Sequence, residues 1–98
     1  MEKININDFK AVEYGGGFAF SGEDIVLSGK FLTDANKKII QMDADATRDG
    51  AGIGHANAWL AGNEGIRYNV SGASEADFTL LFSVTKAALA AIEGELAE

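Results

Sequence analysis

Residues 39–60 read IIQMDADATRDGAGIGHANAWL. The Asp49-Gly50 dipeptide at their centre is the strongest turn signal in the chain, because both central positions of a type I′ turn need positive φ and Asp-Gly tolerates this. The turn pairs Arg48 with Ala51. Counting outward along an uninterrupted ladder places Ala46 opposite Ile53, Ala44 opposite His55, Met42 opposite Asn57 and Ile40 opposite Trp59. Opposed residues in an antiparallel pair share a face. One side of this hairpin is then apolar except for His55 and Asn57.

Two further turn signals flank the hairpin, Asp34 to Lys37 and Gly62 to Gly65. Both connections are too short for the crossover that parallel strands require, so the sheet is an antiparallel meander. A four-residue loop at Asp34 to Lys37 continues the apolar face through Phe31, Gly29, Leu27 and Ile25. An even-numbered loop at Gly62 to Gly65 continues it through Ile66, Tyr68 and Val70. The opposite face then holds Ser28, Lys30, Gln41, Asp43, Asp45, Thr47, Arg67 and Asn69 with the small residues Gly52, Gly54, Ala56 and Ala58. At one end Val26, Leu32, Ile39 and Leu60 add an apolar patch.

Ser74 followed by Asp77 resembles a capping box, and helix formers run from Glu75 to about Ala97. Phe78, Leu81, Phe82, Thr85, Leu89, Ile92 and Leu96 fall on one stripe at helical spacing, the side expected to cover the sheet. Residues 1–22 allow either a short helix or a strand. The preferred reading is an extended segment added to a sheet edge, with Gly15-Gly16-Gly17 as bulge or hinge. The expected fold is α+β: an antiparallel β-meander of four or more strands, with one long C-terminal helix packed on one face. At 98 residues the chain fits a single domain, 1–98.

Composition narrows the function classes. A formal net charge of −7 and a pI near 4.5 oppose direct binding to nucleic acid or an anionic membrane, which needs clustered Lys and Arg. Without cysteine there is no disulfide framework, thiol nucleophile or thiolate metal site. Neither a signal-peptide pattern nor a run of roughly 20 apolar residues is present. The expectation is a cytoplasmic protein, bacterial or in a host cytoplasm if phage-encoded.

The short motifs carry little chemistry. Read as a calcium loop from Asp45, the spacing supplies Thr47, Asp49 and Gly50 but puts Ala56 where a bidentate Glu is required. Gly22 and Gly29-Lys30 lack the spacing and the Ser or Thr of a phosphate loop. His55 is the only histidine, and the register gives it neither a nucleophile nor an orienting carboxylate. No catalytic residue, metal site or cofactor is assigned.

Two candidate sites remain. If the pairing above holds, His55, Asn57, Trp59 and Tyr68 converge under the helix as a ligand pocket. On the helix, Leu80, Val84, Ala87, Ala88 and Ala91 form a flank beside the main stripe, wider than one sheet needs, and a candidate protein interface. The favoured function is a non-enzymatic interaction module that binds a protein partner or itself, a homodimer being expected. By analogy with small phage-encoded inhibitors, it could occupy a basic groove on another protein. The alternative is a small-molecule binder or small enzyme built around His55.

Overall fold

A computed structural model describes residues 3–10, 15–62 and 65–97. Strands β1 (Lys3–Lys10), β2 (Gly15–Gly22), β3 (Ile25–Thr33), β4 (Ile39–Arg48), β5 (Ala51–Leu60) and β6 (Ile66–Ser71) precede one helix, α1 (Glu75–Leu96). The strands form a single antiparallel sheet in the order β1-β2-β3-β4-β5-β6, with the helix packed on one side. This is the expected α+β meander. The ambiguous N-terminal stretch supplies two strands, and Gly15-Gly16-Gly17 opens the second. The ladder between β1 and β2 is irregular between Asn7 and Lys10.

Asp49 and Gly50 both have positive φ, 52° and 84°, and Arg48 pairs with Ala51 as the turn chemistry requires. Two residues further the ladder slips. Thr47 pairs with Gly52 but Ala46 pairs with Gly54, which leaves Ile53 as the extra residue of a β-bulge. Ile53 packs against the core between two glycines. Gly54 turns toward the helix side, where a Cβ would come within 2.9 Å of Leu81 Cδ1 and 3.2 Å of the Ser71 carbonyl. A side chain there would collide, and glycine removes the conflict.

The bulge reverses every later residue of β5. Ala56 and Ala58, expected on the solvent side, lie in the core at 0% and 1% exposure. His55, Asn57 and Trp59 face the other way, opposite Asp45, Asp43 and Gln41. The five-residue connection 61–65 joins Leu60 to Ile66 and restores the original parity. Tyr68 and Val70 of β6 therefore face the helix, as expected.

At the β3–β4 turn, Asp34 Oδ1 accepts hydrogen bonds from the amides of Asn36 and Lys38. The first pair beyond it is Thr33 with Ile39, so this loop also has five residues, not four. A second bulge follows at once, since Leu32 pairs with Gln41 and Ile40 is the extra residue. The two changes of parity cancel. Phe31, Leu27 and Ile25 still share a face with Met42, Ala44 and Ala46, while Ile39 is buried and does not join the outer patch.

The helix is seated through Leu81, Val84, Thr85, Ala88, Leu89 and Ile92. Phe78 and Phe82, expected within the covering stripe, are 49% and 37% exposed. The cause lies in the sheet. With Ala44, Ala46, Ala56 and Ala58 on the inner side, the middle of the sheet is low, and the helix settles onto it with its small Ala88 side. Leu81 is fully buried, and its truncation to Ala would cost about 2–5 kcal/mol.

Polar contacts fix both ends of the helix. Ser74 caps its N-terminus by accepting from the Asp77 amide. The Arg48 guanidinium donates to both carboxylate oxygens of Asp77, at 3.0 and 3.3 Å, and its Nε donates to Asp24 at 2.8 Å. The Asp77 carboxyl is held below its ordinary range, first by the Arg48 hydrogen bonds. Near the other end, Glu93 Oε2 accepts from the Ile39 amide at 2.9 Å.

Candidate functional site on the outer sheet face

The side of the sheet away from the helix is ordered by cross-strand register into rows. One runs Asn7, Gly17, Lys30, Asp43, Asn57, Asn69 across all six strands. On one side of it lies the row Gly15, Leu32, Gln41, Trp59, Arg67. On the other lies Asn5, Ala19, Ser28, Asp45, His55, Ser71. Period-two alternation places these side chains together, and the Ile53 bulge adds those of β5.

His55 sits between two carboxylates of β4. Its Nδ1 is 2.8 Å from Asp45 Oδ1 and its Nε2 is 2.5 Å from Asp43 Oδ1. Neutral imidazole carries a single N–H, so only the imidazolium can donate to both oxygens. Its pKa is raised above the ordinary 6.5, chiefly by the hydrogen bond to Asp45; burial opposes the rise, and Asp43 adds to it. With side-chain exposures of 39%, 60% and 82% for His55, Asp43 and Asp45, the triplet is an open surface clasp. Ser71 lies opposite His55 on β6, but both ring nitrogens are already committed to carboxylates. Neither is left to take a proton from a serine.

Two depressions share Gln41 and Asp43. One, of about 750 Å³, lies over Gly15, Gly16 and Gly17 and is flanked by Asn7, Lys30 and Leu32. Its floor is low because Gly15 and Gly17 put no side chain on this face. A Cβ on Gly17 would also strike Asn7 Oδ1 at 2.4 Å. The other depression, of about 340 Å³, is bounded by Gln41, Asp43, Asn57 and Trp59. Within it Asn57 Oδ1 is buried and accepts no hydrogen bond from the described residues.

The four expected ligand residues are thus divided. His55, Asn57 and Trp59 lie together on the outer face, whereas Tyr68 lies on the helix side. A pocket between helix and sheet lined by all four is not formed, because Ile53 displaces the register on which that convergence depended. Tyr68 instead meets Phe82 edge to face at 5.3 Å, and Lys86 Nζ stands 5.8 Å above the Phe82 ring. Burial pushes the Tyr68 phenol up, and the charge of Glu93 adds to the shift.

Of the expected interface residues, Val84 and Ala88 are inside the core, while Leu80, Ala87 and Ala91 are partly buried against it. The exposed apolar surface of the helix lies instead at Phe78 and Phe82. The sequence reading missed three things: the Asp–His–Asp clasp, the exposed phenylalanine pair and the Arg48 tie. The first had a legible signal, since glycines on both sides of Ile53 are what a bulge favours.

Among the described residues, no group of three or more His, Cys, Asp or Glu is arranged to hold a metal ion, and no helix is long and apolar enough to cross a membrane. Comparison with family models, with curated proteins and with solved structures returned no match.

Proposed function

We propose that the chain is a non-enzymatic protein-interaction module that associates with a second copy of itself along the β6 side. The observation that carries this reading is the exposed pair Phe78 and Phe82 beside an edge strand. Exposed aromatic residues of this size are enriched at protein interfaces and depleted elsewhere on surfaces. β6 ends the sheet, so one row of its backbone groups has no neighbouring strand, which is a template for pairing with another chain.

A second copy suits this edge. Twofold symmetry would set β6 antiparallel to its counterpart and continue the meander across the pair, with Phe78 and Phe82 of both copies flanking the junction. Lys86, above the Phe82 ring, belongs to this strip and moderates the mutual repulsion expected between two chains of charge −7. The occupied ring nitrogens of His55 support a binding role over proton-transfer chemistry. Net charge alone favours the other occupant, a basic groove on a different protein.

The test is sedimentation equilibrium of the full chain and of Phe82→Glu. The wild type is expected to sediment as a dimer, and the variant as a folded monomer whose melting temperature is lowered by the lost Tyr68 contact and the lost association. A monomeric wild type at all concentrations would remove self-association and leave the heterologous partner.

A further inference from the structure

The outer face carries recognition chemistry independent of the β6 side. Its two depressions meet at Gln41 and Asp43 and extend from Asn7 on β1 to Trp59 on β5. At about 4.8 Å between strands, this is a track roughly 19 Å long. Acceptors dominate its centre: Asn57 Oδ1 is buried and unpaired among the described residues, and a carboxylate oxygen of Asp43 lies on the row beside it. A buried acceptor gains by meeting an O–H or N–H donor. The amides of Gln41 and Asn7 can both donate and accept.

Other features narrow the ligand. Leu32 and Trp59, 43% and 39% exposed, stand on either side of Gln41. They offer flat apolar surface to a ligand that is apolar on its faces and polar round its edge. Among the described residues, Lys30 is the cation that lines the two depressions, next to Asp43 in the register, and Arg67 stands beyond Trp59 on the same row. With a net charge of −7, an anionic ligand is repelled at long range. Asp43, the carboxylate on the track, is offset by the His55 imidazolium held at its Oδ1, which leaves its Oδ2 to accept from a hydroxyl and little net charge to draw a cation. Such a surface suits a neutral, extended molecule rich in hydroxyl groups, with C–H faces that lie against an indole.

We propose that the outer sheet face binds a neutral oligosaccharide, with Trp59 as the stacking platform and Gln41, Asp43 and Asn57 as the hydroxyl-binding set. The glycine floor at Gly15 and Gly17 admits further sugar units toward Asn7. Because this surface lies across the sheet from Phe78 and Phe82, binding does not depend on self-association.

The test is a ¹H–¹⁵N NMR titration of the full chain with cellohexaose, maltohexaose and chitohexaose, each to about 10 mM, a range that covers weak carbohydrate affinities. At least one probe is expected to produce saturable shifts at the Trp59 indole and at the amides of Gln41, Asp43 and Asn57. Trp59→Ala and Gln41→Ala, both at the surface, should each weaken binding tenfold or more while leaving the remaining spectrum in place. Phe82→Glu should bind as the wild type does, which keeps this result separate from the oligomer question. The proposal is overturned if none of the three probes gives saturable shifts on this face, if Trp59→Ala responds equally, or if oligolysine shifts these residues and the sugars do not.

Discussion

The β3–β4 and β4–β5 hairpins share a strand, and each contains one β-bulge, yet the bulges have opposite consequences. In β3–β4 the extra residue, Ile40, follows a five-residue loop, and the two changes of parity cancel within a few residues. In β4–β5 the extra residue, Ile53, follows an even two-residue turn and stands uncompensated until the next loop. All of β5 beyond it is turned over. The position of a bulge relative to the loop parity decides how much of a strand changes face. A single residue here moves His55, Asn57 and Trp59 from the helix side to the outer face of the sheet.

The strongest way to break this contrast is to delete Ile53, the residue that the ladder leaves over. Thr47 then keeps Gly52 and Ala46 keeps Gly54 with nothing between them, so His55 still meets Asp45, and Ala56 and Ala58 stay beneath the helix. The loss is confined to the packing of Ile53 against the core, about 2–5 kcal/mol as for other large aliphatic truncations. Urea denaturation should show a cooperative transition at lower denaturant. A variant that is largely unfolded would mean that Ile53 belongs to the ladder and that no bulge sets the face.

Gly29 tests the other hairpin. A Cβ at this position would lie 1.9 Å from the Asp43 carbonyl oxygen and 2.7 Å from Ala44 Cα, both backbone atoms that cannot swing aside. Gly29→Ala should therefore cost about 3 kcal/mol or more, the upper end of overpacking. Gly54→Ala meets the softer Leu81 side chain and the Ser71 carbonyl at 2.9 and 3.2 Å. A loss of about 1–3 kcal/mol is expected, readable in the same denaturation series. Gly52, on the near side of the bulge, has nothing within 4 Å of an added Cβ, and Gly52→Ala should stay within about 0.5 kcal/mol of the wild type.

Much of the fold was legible because its signals are local. Asp49-Gly50 demands a type I′ turn, Ser74 caps a helix, and β3 alternates so plainly that Ile25, Leu27 and Phe31 identify their own face. The helix orientation was less legible, since the choice between Phe82 and Val84 as the buried side depends on how low the opposing alanines lie. The candidate site was misplaced for a single physical reason. Counting along a ladder assumes no extra residue, and a glycine on each side of Ile53 weakens that assumption without saying which way the strand resolves it. The helix side was then credited with polar residues that the fold keeps outside. On β6, an odd loop cancelled the earlier slip, so Tyr68 and Val70 came out on the expected face through two compensating departures.

The two registers give His55 opposite surroundings, so its titration separates them most directly. Beneath the helix and opposite Ala44, desolvation would depress its pKa; between Asp43 and Asp45 it is raised above 6.5, first through Asp45. A raised value means that the clasp stabilises the fold fully below pH 6.5 and loses this contribution as pH rises through the higher value. The measurement is the NMR pH titration of the His55 ring in the wild type and in Asp45→Asn. The bulged register gives a midpoint above 6.5 that falls in Asp45→Asn. A midpoint at or below the ordinary value, indifferent to Asp45→Asn, would return His55 to the helix side and contradict the outer-face site.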